Sequence, residues 1–243
     1  MTDIFDQQRL SFGAAADAYD RIRPSYPVQA LEWALGVTPF RIVDLGAGTG
    51  LLTRRLVELG HEVTAVEPDP KMRAKLAERL PGCAVVAGSA EAIPLADGEA
   101  DAVVAGQAYH WFDPGPAHAE IARVLRPGGV FAPLWNLRDE TVGWVARLAE
   151  LVHEHRDGSV TGSISLDASF GNAFGPVECR DFPHSRPHTA ASLLALTRSH
   201  SWYLTASEER RRRIDETVQA LAADLPPSFD LRYVTRAYRA ERR

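Results

Sequence analysis

The sequence predicts an α/β fold, a doubly wound and mainly parallel sheet with helices on both faces. Three observations predict it. Between residues 41 and 153, short apolar runs alternate with segments of helical spacing, the pattern that parallel strands joined by crossover helices require. The first apolar run ends in a glycine-rich turn, Gly46, Gly48 and Gly50, which opens a helix. The chain has 243 residues, a length that suits one domain, or one domain with an insertion.

The elements follow in order. Residues 10–37 read as helical through Ala14, Ala15, Ala16 and Ala18, with interruptions at Pro24 and Pro27 and a second short helix over 28–35, because alanine favours helix and proline removes a donor. Strands are expected at 41–45, 62–66, 84–87, 102–105 and 129–134, and helices at 50–59, 70–80, 116–125 and 142–153. In the helix at 70–80, Met72, Leu76 and Leu80 fall on one side. Residues 156–175 are rich in Gly, Ser and Asp and read as a loop. A strand at 177–182, helices at 189–199 and 207–223, and a last strand at 231–238 complete the chain.

Composition narrows the classes of function without choosing one. With 27 Lys and Arg against 32 Asp and Glu, the net charge is −5, which argues against general affinity for phosphate backbones. The run Glu208–Arg213 reads as a solvated helix face with Glu-to-Arg pairs, since no aromatic platform accompanies it. Cys83 and Cys179 have no zinc spacing and are expected to be buried free thiols. No apolar run precedes Leu10 and none approaches a membrane span, so the expectation is a soluble, cytoplasmic protein with no membrane or nucleic-acid partner, monomeric or homodimeric.

The most informative segment is Val43-Asp44-Leu45-Gly46-Ala47-Gly48-Thr49-Gly50. Glycines let the backbone turn tightly and let a ligand approach without a Cβ in the way, and the helix start exposes N–H groups. The dinucleotide pattern G-x-G-x-x-G wants its third glycine one residue later, and Asp44 would face a pyrophosphate unfavourably. An ammonium group would be attracted to Asp44. The next strand ends at Glu67, where a carboxylate accepts both hydroxyls of a ribose.

These residues resemble the class I S-adenosylmethionine-dependent methyltransferases over roughly residues 10–140, most strongly at Ile42–Gly50, Glu67, 88–94 and 125–129. The resemblance implies a Rossmann-like seven-stranded sheet of order 3-2-1-4-5-7-6 with the last strand antiparallel. It implies S-adenosylmethionine as cofactor, leaving S-adenosylhomocysteine. The cofactor would meet Asp44, Gly46, Gly48 and Gly50 at its aminoacyl part and Glu67 at the ribose. Met72, Ser89, Ala90 and Glu91 would line the adenine. Ser89 stands where the family often has Asp, which weakens that contact. Leu125-Arg126-Pro127-Gly128-Gly129 resembles the family's turn before strand five. The segment from Phe12-Gly13 through Tyr19 to Arg23-Pro24-Ser25-Tyr26-Pro27 is similar to the entry segment of trans-aconitate methyltransferase-like proteins. That likeness implies Arg23, with Tyr19 beside it, on the methionine carboxylate.

Strand four would end beside the transferring methyl, at Gly106-Gln107-Ala108-Tyr109-His110-Trp111-Phe112-Asp113. The Asn/Asp-Pro-Pro-Tyr motif of base and glutamine methylation is absent from this stretch. Asp113 alone makes no metal cluster, His153 and His155 do not share a helix face, and Pro187 separates His184 from His188, so no metal is expected. A hydroxyl or carbon acceptor needs a base, for which His110 is best placed. A carboxylate acceptor needs none, and His110 and Gln107 would then orient cofactor or acceptor; packing is the third role open to His110. Tyr26, His110, Trp111, Trp135, Arg138, His200 and Trp202 are the expected acceptor pocket.

The expected organisation is one domain over 1–243, with an N-terminal flap (1–37), a cofactor-binding core (38–140) and a helical lid (184–228). The implied activity is methyl transfer to a small molecule, with oxygen (hydroxyl or carboxylate) the favoured acceptor. Two alternatives stand beside it: a protein that binds the cofactor or its product without turnover, and a nucleotide-dependent oxidoreductase.

Overall fold

The computed structural model describes residues 23–38, 40–154 and 169–243. The helix expected before Pro24, with Phe12, Gly13 and Tyr19, and most of the loop expected at 156–175, with His155, lie outside the described residues. Helix α1 is Val28–Leu35, β1 Arg41–Leu45, α2 Leu51–Glu58, β2 Glu62–Val66, α3 Pro70–Arg79 and β3 Ala84–Val86. Then come β4 Ala100–Gly106, α4 Pro114–Val124, β5 Leu125–Arg138, α5 Gly143–Glu154, β6 Glu178–His188, α6 Ala190–Arg198, α7 Ser201–Leu204, α8 Glu208–Ala223 and β7 Phe229–Glu241.

The seven strands form one sheet of order β3-β2-β1-β4-β5-β7-β6. Pairing is parallel from β3 through β5. Strand β7 runs antiparallel to β5, since Gly128 N donates to the Arg242 carbonyl while Asp139 N donates to that of Arg232. It also runs antiparallel to β6: the Asp181–Arg236 ion pair and the His184–Tyr233 ring pair fall at one constant register. The predicted fold class and order therefore hold.

Among the described residues the chain forms two compact units. The first comprises 25–38, 40–136, 169–182 and 235–243. On one face of its sheet, Ala30, Leu31, Ala34 and Leu35 of α1 and Leu52 and Leu56 of α2 bury against Ile42, Val63, Ala102, Val104 and Leu134. Each fully buried Leu, Ile or Val side chain here contributes about 1.5–3 kcal/mol. Around Tyr109, an aromatic cluster joins Phe131, Trp135 and Phe170 at centroid distances of 5.8–6.0 Å. The second unit comprises 23–24, 137–154 and 183–234. Its core joins α5, α6 and α8 through Val145, Leu148, Leu193, Leu196, Ile214 and Val218. On α8 the charge run behaves as its spacing predicts, with Arg213 paired to Glu209 one turn earlier on an exposed face.

Three expectations are corrected. Cys83 is half-buried, its Sγ donating to the Val63 carbonyl. Cys179 is exposed, because β6 is the edge strand and its first four residues all face solvent. The segment expected as a turn before strand five lies inside β5. There Ala100 pairs with Leu125 but Ala102 with Val130, so residues 126–129 bulge out of the ladder. Gly128, at φ +74°, turns the backbone there, and its N–H finds the Arg242 carbonyl.

Arg123 at the end of α4 organises the connection before β4. Its guanidinium bonds to Glu120, to Asp97, and to the carbonyls of Ile93 and Leu95, all at 2.7–2.9 Å. Removing a hub that satisfies two backbone carbonyls costs about 1–3 kcal/mol. The Arg123→Met protein is expected to unfold at a lower urea concentration with an unchanged slope, and an unchanged midpoint would show that the hub stabilises nothing.

Candidate active site

The site is built on β1, β2, β4 and the turns after them, all within the first unit. Asp44 lies on the interior strand β1, between Ala65 of β2 and Val104 of β4, and is fully buried. Its Oδ2 accepts from the Thr53 hydroxyl at 2.7 Å, while buried Oδ1 has no hydrogen-bond partner. Burial pushes the carboxyl up to about 7, the Thr53 bond opposes this, and the Glu67 charge adds to it. An orphaned acceptor at a strand end is expensive to keep, and a cation placed beside it removes that cost.

The glycine turn follows directly. The N–H groups of Gly46 and Ala47 bond to the Val66 carbonyl at 2.9 and 3.3 Å, which ties the turn to the end of β2. Gly46 has φ +66°, and a Cβ there would stand 2.7 Å from the Ala108 Cβ. Its side chain is thus excluded by the turn after β4 as well as by its dihedral. At Gly50 a Cβ would meet Leu76 at 3.0 Å, so this glycine sets how closely α2 approaches α3.

Glu67 is 5% exposed and holds the turn from its other side. One carboxylate oxygen accepts from Gly48 N and the other from Asp69 N, both at 2.8 Å. Burial raises the Glu67 carboxyl above the usual range, and these two bonds oppose the rise. Each oxygen keeps a second lone-pair direction. Asp69 caps α3 through Lys71 N and Met72 N, which seats buried Met72 beside the turn, its Sδ 3.8 Å from where a Gly48 Cβ would be. Further along, Ser89 bridges Ala92, Ala90 is buried, and Glu91 accepts from Asp113 N at 2.9 Å.

After β4, Gln107 stands at φ +57°, in the left-handed region that non-glycine residues rarely enter. Two bonds hold it there: its N–H to the Leu134 carbonyl at 2.9 Å, and its side-chain amide to the Asn136 carbonyl at 3.0 Å. A short 3-10 turn, Tyr109–Trp111, follows. Tyr109 turns inward, its hydroxyl 2.8 Å from His118 Nε2, while His110 and Trp111 stay partly exposed with their rings 4.7 Å apart. Tyr26 is buried against Gly106, its hydroxyl 2.6 Å from the position of a Gly106 Cβ. Trp135 is 4% exposed, edge-on to Tyr109 and Tyr238.

The structure thus brings together Asp44, the three glycines, Glu67 and Met72, and places Ser89, Ala90, Glu91, Gln107, His110, Trp111, Tyr26 and Trp135 in the same unit. Arg23, Arg138, His200 and Trp202 belong to the second unit, and Tyr19 lies outside the described residues. Sequence reading missed Thr53 and Asp69. Thr53 stands between Leu52 and Leu56 on the buried side of α2, and a hydroxyl on an apolar face is a signal for a buried polar partner. Asp69-Pro70 carries the signature of a helix start.

A family model described as a methyltransferase domain matches residues 43–132. An uncharacterized methyltransferase of Mycobacterium bovis is 42% identical over 237 residues, 95% of each chain. A malonyl-[acyl-carrier protein] O-methyltransferase of Methylococcus capsulatus is 37% identical over 134 residues, 51% of this chain and 49% of that one. A solved structure from Anaeromyxobacter dehalogenans, named there as a candidate type II methyltransferase, superposes with a TM-score of 0.68 at 26% identity, over 90% of this chain and 97% of the other. The chain belongs to the class I S-adenosylmethionine-dependent methyltransferase family. Its likeness to the trans-aconitate branch is not among these findings.

Proposed function

We propose that this protein transfers the methyl group of S-adenosylmethionine to an oxygen of a small-molecule acceptor. The observation that carries the cofactor half is the orphaned, buried Asp44 Oδ1 beside a glycine turn that Glu67 clamps. A sulfonium cofactor with an ammonium group supplies an activated methyl and a cation for that carboxylate. Glu67 retains lone pairs for a ribose diol, and the turn that Gly46, Gly48 and Gly50 form is assigned to the aminoacyl part. Met72, Ser89, Ala90 and Glu91 are assigned to the adenine. Gln107 fixes the turn after β4, and we assign to that turn the alignment of His110 and Trp111. Proximity and alignment of this kind lower a barrier by up to roughly 7–11 kcal/mol.

Oxygen is favoured by the relative that is an O-methyltransferase. A carboxylate oxygen is already a nucleophile, and His110 then orients rather than deprotonates. The His110→Ala protein is expected to keep its affinity for S-adenosylhomocysteine and to lose about tenfold in kcat with an unchanged pH profile. A loss of about 10²–10⁴ together with a lost pH limb would make His110 a base. Calorimetry with S-adenosylhomocysteine and with NAD tests the cofactor, and binding of NAD alone would overturn the reading. A radiolabelled-methyl assay on pooled metabolites tests turnover, with incorporation expected; none, with cofactor bound, would leave a binding protein.

A further inference from the structure

The second unit contains a cluster of basic and phenolic side chains that the proposed chemistry has not used. From Phe182 on, strand β6 alternates, with His184, Arg186 and His188 turned inward and Pro183, Ser185 and Pro187 outward. The Asp139–Arg232 backbone bond sets Arg138 of β5 directly opposite Tyr233 of β7. On the other side Tyr233 stacks on His184, rings 5.6 Å apart at 23°. Arg138, Tyr233 and His184 therefore stand in one row across three strands, on one face of the sheet.

Arg23 and Arg186 join this row. Arg186 Nη1 donates to the Arg23 carbonyl at 2.6 Å, and Arg23 Nη2 donates to the Ser199 carbonyl at 3.4 Å. The next residue, His200, is anchored through Nδ1 on the Leu196 carbonyl at 2.7 Å. Tyr233 lies in the field of all three arginines, His188 in that of Arg186 and Arg138, and His200 in that of Arg23 and Arg138. Burial first, and then these positive charges, hold His188 down to about 4 and His200 well below its ordinary value, so both rings are neutral.

In the cluster the Tyr233 hydroxyl, on a residue 4% exposed, and His188 Nε2, on a residue 2% exposed, lack a hydrogen-bond partner among the described residues. A buried hydroxyl without a partner is destabilising. The donors here are a phenol and guanidinium groups that carry five N–H donors each in a planar fork. Their common complement is a group with several anionic oxygens.

We propose that Arg138, Arg186 and Arg23, with the Tyr233 hydroxyl, form a binding site for the oxyanion of a small molecule, a carboxylate or a phosphate monoester. The inference is drawn from the second unit alone. Binding of the oxyanion does not depend on the proposed function.

The test is calorimetric titration of the whole protein with malonate, citrate and inorganic phosphate, each with and without S-adenosylhomocysteine. Saturable binding of at least one probe is expected. Binding of the carboxylates alone identifies an organic acid, and binding of phosphate alone identifies a phosphate ester. Arg138→Met and Arg186→Met should each weaken the bound probe at least tenfold. Tyr233→Phe, which removes only the unpartnered hydroxyl, should weaken it about fivefold without lowering Tm. All three variants should bind S-adenosylhomocysteine as the parent does. No binding by any probe, or unchanged affinity in all three variants, overturns the site. Loss of S-adenosylhomocysteine affinity in Arg138→Met would reassign the cluster to the cofactor's own carboxylate and overturn it too. Failure of the parent to bind S-adenosylhomocysteine would count against the proposed function alone.

Discussion

Asp44→Asn is expected to make the ligand-free protein more stable at pH 8 while it weakens S-adenosylhomocysteine binding about 10–100-fold. Two opposite effects of one charge produce this result. The folded protein holds the Asp44 proton up to about pH 7, whereas the unfolded chain releases it near 4. The contribution of this one carboxyl to stability is therefore fully present below pH 4 and is lost as pH rises through 7, by an amount on the order of 4 kcal/mol. Asparagine keeps an oxygen for the Thr53 hydroxyl and carries no charge. Its NH2 brings a donor that itself needs a partner, so a net gain of about 2 kcal/mol remains, or about 4–8 °C in Tm for a chain of this size. The lost affinity is that of a charge-assisted bond, about 1.5–3 kcal/mol. The parent's affinity should also fall as pH drops below 7, while that of Asp44→Asn stays flat. Scanning fluorimetry and calorimetry at pH 6 and 8 check both halves. If the Asn protein binds the cofactor product as tightly as the parent at pH 8, Asp44 does not face its ammonium group.

Gly46→Ala is expected to lower stability by about 3 kcal/mol, a fall of roughly 6–12 °C in Tm. Alanine at a left-handed position costs about 1–2 kcal/mol, and the added methyl meets the Ala108 Cβ at 2.7 Å, an overpacking that costs about 1–3 kcal/mol. Gly48→Ala is the control. It shares the positive φ, but its methyl would meet only Met72 Sδ at an ordinary 3.8 Å, so it should lose about 1–2 kcal/mol. Combining Gly46→Ala with Ala108→Gly should return part of the loss, as a double-mutant cycle would show. Additive effects of the two changes would mean that the steric contact is not what excludes a side chain at 46.

The sequence makes the strand–helix alternation from Arg41 to Val124 legible because each element there has one apolar face of clear period. Element ends are less legible where pairing extends a strand beyond its apolar run. Strand β5 continues to Arg138 and β6 to His188 because β7 supplies partners there, and such partners leave no trace in local composition. Cys179 illustrates the same limit, since cysteine is usually a core residue and nothing local says that its strand lies at the sheet edge. In the site, Asp44, the glycines and Glu67 are readable because spacing and residue type coincide. Thr53 is not, since its role depends on how α2 lies over β1. Arg138 is readable as a pocket candidate, but that Tyr233 and His184 stand beside it is least readable of all. The three come from three strands separated by long stretches of chain, and only the antiparallel register makes them neighbours.

Gln107 carries a last consequence. Glycine would hold its left-handed backbone with about 1–2 kcal/mol less strain, yet glycine has no amide to give the Asn136 carbonyl. Replacing it by glycine would therefore exchange backbone strain for a lost bond of similar worth, with no net gain in heat resistance. A laboratory search for a hardier protein would leave 107 as it stands, and the turn that leads to His110 and Trp111 would keep its shape.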